Sequence, residues 1–302
     1  MFEVIALQVV VPVLLLLFFA AGSSTILNMA ARAIIVISYL WAVRNSAHWL
    51  FLPWYGFYLY LAILAVIALI ILLSGKHVPL VPRRRAFLRL QGEVVVALAL
   101  ININIYLLLG EAPNATFIVN LESPIIGRSV YVMNGGANRF VNKHLEGMDN
   151  PELIIPGNIY GVDLLVVNEH GRISDMMFPE RSQDYIGYSN VVYSPCEGRV
   201  SRVSKDYSDQ ALSEDTSQIL IECAGYEVQL SHMQADDLEV KVGNRVQAGS
   251  LLGRLGAVVK GEPPYLHMHV QRRIPQDSGE FLIQPVQVSI AGNFLARGDI
   301  VP

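Results

Sequence analysis

Four apolar stretches, Val4–Ala21, Ile26–Val43, Leu50–Leu73 and Val94–Leu109, occupy the first 110 of 302 residues. A helix of about 20 apolar residues crosses the roughly 30 Å hydrocarbon layer of a bilayer. Inside that layer every backbone polar group must be satisfied within the segment, and unbroken apolar runs of this length do so as helices. Residues 1–110 are therefore expected to form an all-α transmembrane bundle of about four helices. The first stretch lacks the basic residues that precede a secretion signal, and Glu3 stands there instead, so it reads as a retained helix. The second carries Asn28 and Arg32. The third has Trp49, Trp54, Tyr55, Tyr58 and Tyr60 near one end, the composition of an interfacial belt. In the fourth, Asn102 and Asn104 call for partners on neighbouring helices.

Basic residues set the orientation. Lys76, Arg83, Arg84, Arg85 and Arg89 crowd the loop between the third and fourth stretches, which the positive-inside rule assigns to the cytoplasm. The fourth helix then leads outward, and residues 111–302 are expected on the extracytoplasmic, periplasmic side of an inner or plasma membrane. The first 110 residues hold seven Lys/Arg against two Asp/Glu, whereas the whole chain stands at −4, which leaves nine excess negative charges beyond residue 110. An acidic domain without a basic patch argues against nucleic acid as a partner. Cys196 and Cys223 both lie in this part, where a disulfide or two buried thiols are both compatible with the sequence.

Beyond Gly110 long apolar runs give way to short alternating ones punctuated by glycine. Gly198–Val203, Gln218–Cys223, Glu227–Ser231 and Leu266–Gln271 read as strands, and Ser204–Ser217 is polar enough for a surface loop. Between Val240 and Gly253, glycines at turn positions separate apolar pairs, which describes a chain folding back in tight corners. Residues 111–302 are thus expected to be all-β, of the barrel-sandwich type. A swinging-arm carrier domain shares such corners but needs a modifiable lysine at an exposed hairpin tip, and no Met-Lys-Met or similar tip is present.

His267 and His269 flank Met268 in the last of these strands, and spacing i, i+2 puts both imidazoles on one face of a sheet. That is ligand geometry for a metal. Three further histidines, His144, His170 and His232, lie in the same half of the chain. A catalytic zinc takes three protein ligands from neutral imidazoles and carboxylates and keeps one position open. No His-Glu-x-x-His helix exists, so a thermolysin-like arrangement is excluded.

The motifs also follow one another in a telling order: Tyr160-Gly161-Val162-Asp163, Tyr193-Ser194-Pro195-Cys196-Glu197-Gly198-Arg199-Val200, Leu230-Ser231-His232-Met233, Val242-Gly243-Asn244-Arg245-Val246, and Pro264-Tyr265-Leu266-His267-Met268-His269. Over about residues 130–300 this set resembles the LytM/lysostaphin-type zinc metallopeptidases. The resemblance implies a duplicated hybrid-motif fold, a Zn2+ cofactor, and hydrolysis of peptide bonds in peptidoglycan. It implies Asp163 and His269 as metal ligands, with His232 and His267 beside the reacting water as catalytic residues.

One position departs from the pattern. The family carries a histidine four residues before its aspartate, and Ile159 stands there. A subset of the family is similar in having a Gly-Gly-Asn stretch and an Asn-x-His element upstream of Tyr-x-x-Asp, matched here by Gly135-Gly136-Ala137-Asn138 and Asn142-Lys143-His144. Gln284-Pro285-Val286 and Phe294-Leu295-Ala296-Arg297 resemble the end of that subset. His144 is therefore the expected third ligand, ahead of His170, which lies in a polar turn. The alternative is an inactive relative that binds wall peptide or recruits a wall hydrolase through the same groove.

Overall fold

The computed structural model describes residues 5–21, 25–46, 53, 55–74, 79–80, 84–115, 117–149, 156–176, 178–205, 216–277 and 279–301. The chain divides into two compact units, Met1–Leu108 and Leu109–Pro302.

In the first unit a π-helical turn, Ala6–Val10, leads into helix α1 (Val11–Ala20). Pro12 explains both the turn and its neighbours. It has no N–H to donate to the carbonyls one turn back, and those carbonyls find hydroxyls instead: Tyr39 donates to Leu7 O at 2.9 Å and Tyr60 to Gln8 O at 2.8 Å. Helices α2 (Ile26–Ser46), α3 (Gly56–Leu73) and α4 (Arg84–Glu111) follow. Among the described residues three helices have the length and apolarity to cross a membrane, Ile26–Ser46, Gly56–Leu73 and Phe87–Glu111, while the first apolar stretch forms a shorter helix, Ala6–Ala20. Trp49, Trp54, Lys76 and Arg83, which entered the belt and orientation arguments, lie outside the described residues.

The polar side chains of these helices meet one another. Arg32 Nε donates to Glu93 Oε1 at 2.9 Å, Asn28 Nδ2 donates to Glu93 Oε2 at 2.8 Å, and Thr25 Oγ1 donates to Asn28 Oδ1 at 2.7 Å. All four residues are buried. Asn104 donates to the Ser38 carbonyl of α2 at 2.9 Å, as expected of a helix–helix contact, but Asn102 bonds back to Leu98 of its own helix.

The second unit is mostly sheet. Its strands are β1 (Ile118–Leu121), β2 (Ser129–Asn134), β3 (Val162–Val167), β4 (Val191–Tyr193), β5 (Gly198–Lys205), β6 (Thr216–Cys223), β7 (Tyr226–Gln234), β8 (Arg245–Val246), β9 (Leu251–Arg254), β10 (Leu266–Pro275), β11 (Phe281–Ile290), β12 (Asn293–Phe294) and β13 (Ile300–Val301). Among the described residues, eleven of them make one sheet whose main path runs β13-β2-β3-β10-β7-β6-β5-β8, with β11 joining β10 to β1 and β12; β4 and β9 pair separately. Among the described residues the sheet is not closed into a barrel, because its two ends, β13 and β8, are two-residue strands that pair only inward. The barrel part of the expected barrel-sandwich is thus corrected, while the mostly-β character stands.

Strand β10 is the axis of this sheet. Its first residues pair with β3 and its later ones with β11, while β7 runs along the other side. Leu266, Met268 and Val270 join the hydrophobic core together with Leu164 and Val166 of β3 and Val228 and Leu230 of β7. Full burial of such a side chain is worth about 1.5–3 kcal/mol. Strand alternation therefore turns His267 and His269 to the opposite face together. Cys196 and Cys223 are joined by a disulfide, with Cα atoms 6.3 Å apart.

Candidate metal centre

Register places the site. His267 on β10 lies directly opposite Asp163 on β3 and, on its other side, opposite Ser231 on β7. His269 is opposite Gln229. His232 follows Ser231 with φ at 75°, a left-handed conformation that L-residues adopt at a cost. The short 3-10 helix Lys143–Asp149 carries His144. Asn142 holds that segment in place: its Nδ2 donates to the carbonyls of Gly136 (3.2 Å) and Gly161 (3.1 Å), and its Oδ1 accepts from His144 N at 3.1 Å. The Asn-x-His element thus ties the His144 loop to the chain two residues before Asp163.

The outcome is one cavity of about 280 Å³ lined by His144, Asp163, His232, His267 and His269, with Tyr265, Asn158, Ser231, Gln218 and Gln229 completing its wall. All five residues singled out as ligands or catalytic groups are brought together. His170 is not; it stands half-exposed in a turn beside Glu169, at 3.5 Å. Ile159 lies in the 3-10 helix Pro156–Tyr160, and its neighbour Asn158 contributes to the wall. Asn158 Oδ1 is buried there without a hydrogen-bond partner among the described residues.

Asp163 is the hub. Its Oδ1 is 2.8 Å from His267 Nδ1, and its Oδ2 lies 3.2 Å from His144 Nε2 and accepts from Asn134 Nδ2 at 2.6 Å. His267 Nε2 is in turn 3.1 Å from His269 Nδ1. Rings also pack edge to face, His144 on His267 at 4.9 Å and His232 on Tyr265 at 4.8 Å between centroids. Gly161 makes room for this: a Cβ there would come within 2.8 Å of His267 Cε1 and 2.3 Å of Asn158 Oδ1.

Burial alone would raise the Asp163 carboxyl, but hydrogen bonds from His144 and His267 overcome it and hold the group well below the usual carboxylate range. Burial pushes the His267 imidazole down against the opposing hydrogen bond to Asp163. His269 is pushed well below its ordinary value by burial and then by His267, His144 and Arg202. A negative carboxylate beside neutral imidazoles is the protonation state in which these groups bind a metal.

Among the described residues, the donors that approach one another as a metal-holding group are His144, Asp163 and His267, all within 4.8 Å. Two imidazoles and a carboxylate suit zinc. The family resemblance implies His269 in that set with His267 beside it, whereas donor proximity groups His267 with His144 and Asp163. Asn134, Asn142, Asn158 and Arg297 were not legible as site residues. Asn142 and Arg297 carried faint signals, the Asn-x-His spacing and the Phe294-Leu295-Ala296-Arg297 run, but nothing in the sequence links Arg297 to Asn134, 163 positions away.

No family model and no curated protein matches the chain. Solved structures do match, at TM-scores of 0.26: a zinc-containing peptidase from Vibrio cholerae (22% identity over 44% of this chain and 29% of that one), lysostaphin (18%, 40% and 39%), and the catalytic domain of lysostaphin from Staphylococcus simulans (17%, 42% and 74%). The chain thus spans well under half the length of the first two.

Proposed function

We propose that this chain is a membrane-anchored zinc metalloendopeptidase that hydrolyses peptide bonds, with peptidoglycan cross-links as its substrate. The observation that carries this is the single cavity in which His144, Asp163, His232, His267 and His269 converge. In this reading residues 1–110 are the anchor in the lipid bilayer, and residues 111–302 work on the extracytoplasmic side. A disulfide between Cys196 and Cys223 suits that oxidising side.

Zinc, when bound, supplies Lewis acidity that activates water and polarises the scissile carbonyl. His144, Asp163 and His269 would hold it. Tautomers support His269: if His267 donates Nδ1–H to Asp163, its Nε2 accepts from His269 Nδ1–H, which leaves His269 Nε2 as an unprotonated ligand nitrogen. His232 moves a proton between water and the leaving amine, and His267 assists from the same cavity wall. Asn158 Oδ1, an acceptor without a partner among the described residues, suits a peptide N–H of the substrate. The exchanged assignment, His267 as ligand, is what donor proximity favours. His269→Ala and His267→Ala separate the two, since only removal of the true ligand abolishes zinc retention.

Hydrolysis is tested on purified peptidoglycan by the appearance of new amino termini. Activity should vanish with chelator, return with zinc, and fall by about 10²–10⁴-fold in His232→Ala with zinc retained. A zinc-loaded wild type that binds peptidoglycan without cutting it supports the alternative, a regulatory module that recruits a wall hydrolase. Undiminished hydrolysis by His232→Ala contradicts the assigned role.

A further inference from the structure

Two stretches near the site have no part in the proposed chemistry, Asn134-Gly135-Gly136 and Leu295-Ala296-Arg297. The fold brings them together. A Cβ on Gly135 would lie 2.8 Å from the Leu295 carbonyl oxygen, so glycine lets the two backbones pass. Arg297 N donates to Gly135 O at 3.3 Å, Gly298 N to Val132 O at 3.0 Å, and Val132 N to Asp299 O at 2.9 Å. The Asp299 carboxylate accepts from Ala296 N at 3.0 Å and closes the turn. Arg297 is thereby delivered, 6% exposed, against β2.

There its Nη2 donates to Asn134 Oδ1, and Asn134 Nδ2 donates to Asp163 Oδ2 at 2.6 Å. Arginine offers only donors and an ionised carboxylate only acceptors, so the amide between them has one possible orientation. A buried guanidinium is costly unless paired. Opposite charges at the two ends of one amide make both hydrogen bonds charge-assisted. With Oδ1 engaged by His267 and Oδ2 by Asn134, rotation of the Asp163 carboxylate would break contacts on both sides.

We infer that Arg297, acting through Asn134, is a positioning residue that fixes the orientation of the Asp163 carboxylate in the site. Its consequence for metal affinity rests on the reading of Asp163 as a ligand. Outer partners of this kind typically alter metal affinity 10–100-fold, although neither Arg297 nor Asn134 touches the metal or the substrate in this account.

The test uses the full chain in detergent, with zinc affinity measured by chelator competition and the ring nitrogens of His267 followed by ¹⁵N NMR in the metal-free protein. Arg297→Met and Asn134→Leu should weaken zinc binding about 10–100-fold and shift the His267 nitrogens, because the carboxylate that receives its Nδ1–H turns. Arg297→Lys keeps the charge without the planar fork and should recover part of the affinity. Should Arg297→Met not fold, Arg297→Lys decides alone, with an affinity about threefold or more below wild type expected. Unchanged affinity together with an unchanged His267 spectrum overturns the inference. If the wild type binds no zinc yet the His267 nitrogens shift in the variants, the positioning role stands and the zinc reading is what fails.

Discussion

His232 occupies a left-handed backbone conformation in the middle of a strand, φ at 75°, where a non-glycine residue costs about 1–2 kcal/mol. The strain is kept beside the cavity that His232 lines. His232→Gly is therefore expected to be more stable than His232→Ala by about 1 kcal/mol, read as a higher unfolding midpoint, while both lose hydrolysis. Equal stability of the two variants would argue that the conformation is not strained. Gly161→Ala should reduce activity without removing the fold, since the new Cβ collides with His267 Cε1 and Asn158 Oδ1; wild-type turnover in that variant would contradict the packing described. At this scale the sequence disclosed the five groups that line the cavity. Asp163, His232, His267 and His269 sit in motifs whose order is specific, and His144 follows an Asn-x-His spacing. The pairing of Asn134 with Arg297 stayed hidden, because an amide at the end of β2 and an arginine 163 positions later have no periodicity that links them.

At the scale of elements, α2 and α4 are clamped by Arg32, Glu93 and Asn28, all buried. Removing one partner leaves an unpaired buried charge, a loss of about 3–5 kcal/mol, whereas replacing both by apolar groups is often neutral. Glu93→Leu should thus lower the thermal midpoint of the purified protein sharply, and Arg32→Leu with Glu93→Leu should restore most of it. A double variant no better than the single one would show that the pair is not the clamp. Arg32 was visible in the sequence as a charge in an apolar stretch. Its partner was not, because the apolar run opens at Val94 and leaves Glu93 in the flank, although the helix itself begins at Arg84. The strands show the same pattern of clear centres and extended ends. Gly198–Val203 became Gly198–Lys205 and Glu227–Ser231 became Tyr226–Gln234, since backbone pairing continues past the point where side-chain alternation fades.

At the scale of the whole molecule, an apolar helical unit precedes a mostly-sheet unit that contains the cavity. The change of hydrophobic period near residue 110 made that succession legible, whereas the open sheet was not: closure depends on which edges meet, and two-residue strands such as β8 and β13 leave almost no trace in a sequence. The proposed orientation predicts that Cys196 and Cys223 are oxidised in intact cells, so that thiol reagents fail to label the denatured chain until it is reduced. Labelling without reduction would place the second unit in a reducing compartment. The central claim is the metal centre, and metal analysis of the purified full chain tests it most directly. The account predicts about one zinc per wild-type chain and almost none in Asp163→Ala or His144→Ala; a wild type without zinc, or zinc retained in both variants, would contradict it.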